Sequence, residues 1–135
     1  MQDQYIYEYA VIRVVPRVEK EEFLNAGIIL SCTEKEFLEA RIKLDEERLK
    51  AFDPSLDIET VKSYLLSIPE ICVGGSGSGG IGKLTKRERF RWLTSPRSTI
   101  IQTSPVHSGY CKDPAKELDH LVEMMVGLNK NSRSD

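Results

Sequence analysis

Six basic side chains, Lys83, Lys86, Arg87, Arg89, Arg91 and Arg97, fall in one short segment interrupted only by the carboxylate of Glu88. The segment carries a local charge of +5 and the rest of the chain about -7, so the formal net charge of -2 conceals a marked asymmetry. Guanidinium groups grip carboxylate or phosphate through paired N–H bonds, which makes Arg89, Arg91 and Arg97 candidate anion-binding residues. On a helix, Arg87 and Arg91 lie four residues apart on one face, and Phe90 and Leu93 anchor the other. Trp92 stacks on a base or fills the core. The intramolecular alternative pairs the arginines with the acidic runs Glu19 to Glu22 and Asp45 to Glu47 and buries Trp92. An acidic chain excludes a generally basic nucleic-acid binder.

Just upstream, Gly74 to Gly82 is glycine-rich, and two phosphate-binding patterns match there. Gly75, Gly77 and Gly80 satisfy G-x-G-x-x-G, but a helix rather than a strand precedes them and the downstream region is basic. Gly77 to Lys83 matches the start of a P-loop, but Leu84 stands where a serine or threonine would hold magnesium. Both matches fail on context, and glycine's backbone freedom makes a flexible loop the expectation. His107 lies in the loop-like stretch Ser104 to Gly109, either as a general base or as a hydrogen-bonded turn residue. With Cys111 it forms one imperfect ligand pair, short of the two close pairs that a structural zinc site shows. No metal and no cofactor is expected, and no nucleophile elbow is present.

The elements that must position these groups follow from periodicity. Tyr5 to Val15 alternates in β-branched and aromatic residues and predicts a long, mostly buried strand ended by Pro16. Gly27 to Cys32 predicts a second strand, Thr33 to Glu36 a hairpin loop, and Phe37 to Leu44 a third strand with Leu38, Ala40, Ile42 and Leu44 facing a core. A short helix follows Asp45 and stops at Asp53-Pro54. Asp57 caps a second helix buried through Ile58, Val61, Leu65, Ile68 and Cys72, which Pro69 should kink or end, with a stop at Ser67 as the alternative. Lys86 to Leu93 predicts a short helix, and Ser98 to Thr103 a fourth strand bracketed by prolines. Asp113-Pro114 opens an amphipathic helix whose apolar face is Leu118, Leu121, Val122, Met125 and Leu128. The expectation is one α+β domain over residues 1–128 with a disordered tail at 129–135. Its sheet is about four-stranded, mainly antiparallel and covered by two to four helices, mainly on one face.

With 135 residues, 40% apolar and 30% charged, the chain suits one globular core rather than disorder or membrane insertion. Three scattered cysteines, Cys32, Cys72 and Cys111, form no disulfide framework, and no apolar run suits a leader or a bilayer span. A cytoplasmic protein with no membrane partner is expected.

Three segments together carry a family resemblance. They are Tyr7-Glu8-Tyr9-Ala10-Val11-Ile12-Arg13 continuing into Arg17 to Gly27; Arg87-Glu88-Arg89-Phe90-Arg91-Trp92-Leu93; and Ser95-Pro96-Arg97-Ser98-Thr99 through Ser104-Pro105-Val106-His107-Ser108-Gly109. From Tyr5 to about Leu128 the chain resembles the bacterial domain of unknown function 3037 family. The resemblance implies no catalytic roles. It implies a partnership with HipA-like kinases, beside whose genes such domains often sit. Glu22, Asn25, Arg89, Arg97 and His107 are polar residues within the family-like segments, and are therefore either buried network members or site residues. Arg91 and Lys20 carry less of the resemblance.

Two functions are expected to compete. The first is an accessory domain that binds a protein partner, such as a HipA-like kinase, through a basic, anion-binding surface. The second is an enzyme or sensor for a phosphorylated small molecule, nucleotide or nucleic acid, with the arginines holding phosphate and His107 or Glu22 transferring protons. Whether the chain is catalytic stays open at this point.

Overall fold

In the computed structural model, which describes residues 3–127, strand β1 (Tyr5–Val14) is the centre of a five-stranded antiparallel sheet. β2 (Leu24–Cys32) pairs along one edge of β1, and β3 (Phe37–Ile42) pairs in turn with β2. The other edge of β1 is shared by β4 (Ile101–Thr103), opposite Ile12 to Val14, and β5 (His107–Cys111), opposite Tyr5 to Tyr9. From Ile12 to Tyr9 the step on β1 is three residues, whereas from Thr103 to His107 it is four, so the Ser104–Val106 turn holds one extra residue. There the Ser104 N–H donates to the Val11 carbonyl at 2.8 Å, and the Ser104 hydroxyl accepts the Val11 N–H at 2.9 Å. One side chain thus restores a ladder bond at the break, where a buried orphan amide would otherwise cost stability.

β5 corrects the reading of Ser104 to Gly109 as a loop. Ser108 and Gly109 have weak strand propensity, and pairing with β1 overrides it. The glycine has a steric reason: a Cβ on Gly109 would lie 3.0 Å from the Tyr7 hydroxyl, because the Tyr7 ring crosses β5 at that point.

Alternation along the strands divides the sheet into two faces. Tyr7, Val11, Ile28, Leu30 and Cys32 point to one, and Ile12, Val14, Ile29 and Leu38 to the other. A bulge between Ile12 and Arg13 leaves Ala26 as the extra residue on β2, so Leu24 and Ala26 join Ile29 on the second face despite their even numbers. The first three helices cover that face. Asp45 caps α1 (Glu46–Phe52) through the Arg48 N–H, and Asp57 caps α2 (Ile58–Val73) through the Thr60 N–H. α2 buries Val61, Leu65, Ile68 and Cys72 there, and α3 (Lys86–Leu93) adds Phe90 and Leu93. α2 does not end at Pro69; burial of Cys72 beyond the proline offsets the hydrogen bond that the missing N–H forfeits.

α4 (Pro114–Val122) opens on Asp113, whose carboxylate accepts from the Ala115 and Lys116 N–H groups. Its Leu118 and Leu121 pack on the opposite face with Tyr7, Ile28 and Leu30. Placing the two long helices on opposite faces corrects the expectation that both cover mainly one. β1 and β2 are apolar on both sides, and a two-sided apolar sheet needs two covers. A π-helical turn, Glu123–Gly127, continues α4, and Leu128 and the tail expected at 129–135 lie outside the described residues. Among the described residues no helix is long and apolar enough to cross a membrane.

Two contacts of this scaffold are directly testable. At Gly27 a Cβ would collide with the Arg41 carbonyl oxygen of β3 and press on Ile42 and Ile12, so Gly27→Ala is expected to lower unfolding free energy by about 1–3 kcal/mol in urea titration. The Tyr7 hydroxyl donates to Glu117 Oε2 at 2.7 Å, and burial, reinforced by this carboxylate, raises its pKa above the ordinary value. The folded state therefore holds the proton more tightly than the unfolded one, and Tyr7 contributes stability that is lost as pH rises above about 10. Tyr7→Phe is expected to flatten the alkaline limb of stability against pH relative to the parent chain.

Candidate functional site

α3 begins with a reciprocal cap: Glu88 N–H donates to the Thr85 hydroxyl at 3.1 Å, and Thr85 N–H donates to the Glu88 carboxylate at 2.9 Å. With Phe90 and Leu93 in the core, this cap sets the rotation of the helix and sends its arginines in different directions. Arg87 turns back to the sheet and forms an ion pair with Glu8. A concavity of about 420 Å³ surrounds that pair, and Glu34 also lines it, so two carboxylates offset its one guanidinium. The basic segment does pair within the molecule, but through Glu8 rather than the acidic runs Glu19 to Glu22 and Asp45 to Glu47.

Arg89 is buried. Its Nη1 donates to the Leu84 carbonyl at 2.7 Å and its Nη2 to the Cys72 carbonyl at 3.3 Å, joining the end of α2 to the start of α3. Between them Ser76–Lys83 winds as 3-10 turns, and the Gly75 N–H donates to the Gly82 carbonyl at 3.1 Å across the segment. Gly74 has a left-handed φ of 82°, and a Cβ there would lie 2.6 Å from Arg89 Nη1. Glycine at 74 thus serves the seating of the guanidinium.

Arg97 lies across the other end of α3. Its Nη1 donates to the Leu93 carbonyl at 3.0 Å and its Nη2 to the Trp92 carbonyl at 2.6 Å, while the guanidinium stacks on the Trp92 ring at 4.6 Å. These carbonyls lie in the last turn of the helix, at its negative dipole end, where a cation is favoured. Trp92 is not buried as the intramolecular alternative has it: 41% of it is exposed. Arg91, next to it, is exposed and has no side-chain partner among the described residues.

The remaining candidates lie elsewhere. His107 is exposed on β5, opposite Tyr9, with the two rings 5.5 Å apart on the α4 face of the sheet. The arginines of α3 belong to the opposite face, so the sheet separates His107 from them. Glu22 is exposed in the connection before β2. Asn25, on β2, donates through Nδ2 to the Met125 carbonyl at 2.9 Å and ties the sheet to the turn after α4. Trp92 and Arg97 are brought together; Arg89, Arg91, His107, Glu22 and Asn25 do not join them in any contact.

Sequence reading missed what Trp92 and Arg97 border: a groove of about 490 Å³ between α2, α3 and β4, with Tyr64, Ile68, Ile71, Ile100, Ile101 and Thr103 among its walls. Tyr64 is 54% exposed. Its one sequence signal was a large aromatic residue lying off the apolar stripe of α2. Among the described residues that line the groove, Arg97 alone is charged.

The cysteines offer little nucleophilic chemistry. Burial pushes the Cys72 thiol up to about 12 and the Cys111 thiol up to about 11, so both are protonated near neutrality. Among the described residues no three His, Cys, Asp or Glu side chains converge as metal ligands would.

The chain belongs to the family described as Protein of unknown function (DUF3037), whose model matches residues 9–126. No curated protein and no solved structure matches it.

The divided roles of the arginines predict divided effects. Arg89→Lys loses the fork that spans two carbonyls and is expected to cost about 2 kcal/mol of unfolding free energy. Arg91→Gln is expected to change it by less than about 0.5 kcal/mol. Parallel urea titrations check both.

Proposed function

We propose that this domain is an accessory module that binds a protein partner through the Trp92–Arg97 end of α3 and the groove beside it, and that the partner is a HipA-like kinase in the cytoplasm. One observation carries the proposal: Trp92 is left exposed, with Arg97 stacked on it, at the rim of a mostly apolar groove. Large aromatic residues and arginine dominate the energetics of protein interfaces, and an apolar centre with a charged rim is how such interfaces are built. Arg97 supplies the cation at this rim, so the anion-binding role is assigned to it rather than to the whole basic segment. The competing role, an enzyme or sensor for a phosphorylated ligand, is weaker because Arg87 and Arg89 are engaged internally and His107 lies across the sheet.

Co-expression with a HipA-like kinase, followed by affinity capture of the kinase, tests the proposal. The parent chain is expected to co-elute at micromolar concentrations, and Trp92→Ala to weaken capture at least about tenfold, the scale of an interface hot spot. A chain that folds normally yet elutes alone beside the kinase refutes the kinase assignment.

A further inference from the structure

Opposite β3 the sheet ends on β4 and β5, of which β4 borders the groove, and the geometry points to how a partner engages it. The Val15 N–H donates to the Ile100 carbonyl at 2.7 Å, and the Ser104 N–H to the Val11 carbonyl at 2.8 Å. In an antiparallel ladder such bonds alternate, so Ile100, Gln102 and Ser104 direct their peptide groups at β1 while Ile101 and Thr103 direct theirs outward. The Thr99 hydroxyl donates to the Ile101 carbonyl at 2.9 Å. The Ile101 N–H, Thr103 N–H and Thr103 carbonyl then have no partner among the described residues. Edges of this kind are ordinarily guarded by charges, prolines or a covering element. β3, at the far side of the sheet, carries Glu39 and Arg41 and packs against both α2 and α4. β4 reads Ile101-Gln102-Thr103, without a charge or proline.

We infer, building on the partner-binding role above, that the domain takes up an extended acidic and aliphatic segment of its partner as an added strand on β4. Ile101 and Thr103 pair with Val14 and Ile12, so their side chains share the α2 and α3 face and help to wall the groove. A strand laid beside β4 sends every second side chain over that same face, between Tyr64, Ile68 and Trp92, while its backbone meets the three open groups of Ile101 and Thr103. The apolar walls take an aliphatic side chain. Among the described residues no carboxylate lines the groove, and the donors of Arg97 not spent on backbone carbonyls select an acidic residue. A second copy of the chain is a poorer occupant, because a two-fold edge pairing sets like basic ends of α3 against each other.

The test uses the full chain and short labelled peptides that alternate valine and threonine and carry one aspartate, one lysine or neither. Saturable binding of the aspartate peptide is expected, with amide shifts centred on Ile101 to Thr103 and the Trp92 indole. The lysine peptide should bind at least about tenfold more weakly. N-methylation of alternate peptide bonds should abolish binding in one phase and spare it in the other, since only every second N–H faces β4. Thr103→Pro removes an outward N–H and leaves the bonds to β1 in place, so it should weaken binding at least about tenfold in a folded chain. No saturable binding by any peptide up to about 1 mM overturns the inference, as does equal sensitivity to methylation in both phases. Self-association that Thr103→Pro dissolves assigns the edge to a second copy and also overturns it. Kinase capture lost in Trp92→Ala but retained in Thr103→Pro sinks strand addition and leaves the partner-binding role standing.

Discussion

β1 is covered on both faces and paired along both edges, and most of the architecture follows from satisfying a strand in that position. Its apolar side chains alternate to either side, with Ala10, Ile12 and Val14 fully buried on one and Tyr7 and Val11 buried on the other. A strand that is apolar on both sides is stable only between two layers, which is why α1, α2 and α3 occupy one face and α4 the other. Its peptide groups must also be met along the whole length. β2 meets one row. The second row is met by two shorter strands, with the Ser104 hydroxyl supplying the bond at the break between them.

The basic segment is likewise governed by burial. Arg89 sits in the interior without a carboxylate partner among the described residues and is held by the carbonyls of Cys72 and Leu84. A buried cation with imperfect partners costs free energy, so its seat must be closely built. Gly74, with no Cβ to obstruct the guanidinium, is part of that seat. Gly74, which stands just before the glycines of the phosphate-binding patterns, thus belongs to internal packing. Arg87 is occupied by Glu8, Arg97 by the end of α3 and the Lys86 ammonium by the Glu36 carbonyl, while Lys83 and Arg91 are turned to solvent.

Charge and apolar surface meet where the sheet is open. Family membership supplies no chemistry, and among the described residues neither the thiols nor His107 builds a catalytic set. The Trp92 groove lies beside β4, where backbone donors, an apolar wall and an arginine converge. On this combination rests the proposed partner-binding role.

How much of this was legible without the fold depends on the range of the interaction. The alternation of Leu38, Ala40, Ile42 and Leu44, the helical spacing of Val61, Leu65, Ile68 and Cys72, and the caps Asp45, Asp57 and Asp113 act within a few residues and were read directly. The break at Pro69 was overestimated because core burial beyond the proline is not a local quantity. β5 was missed because Ser108 and Gly109 are strand-like only when Tyr7 lies across them. The candidate site was legible as a cluster of basic types but not as a set of roles: whether an arginine meets Glu8, two carbonyls, a tryptophan or solvent depends on elements far apart in the chain. By itself the sequence determined the local elements, the α+β class and the family. Tertiary structure alone decided which face each helix covers, which arginines are consumed internally and which edge stays open, because each of these depends on contacts between distant residues.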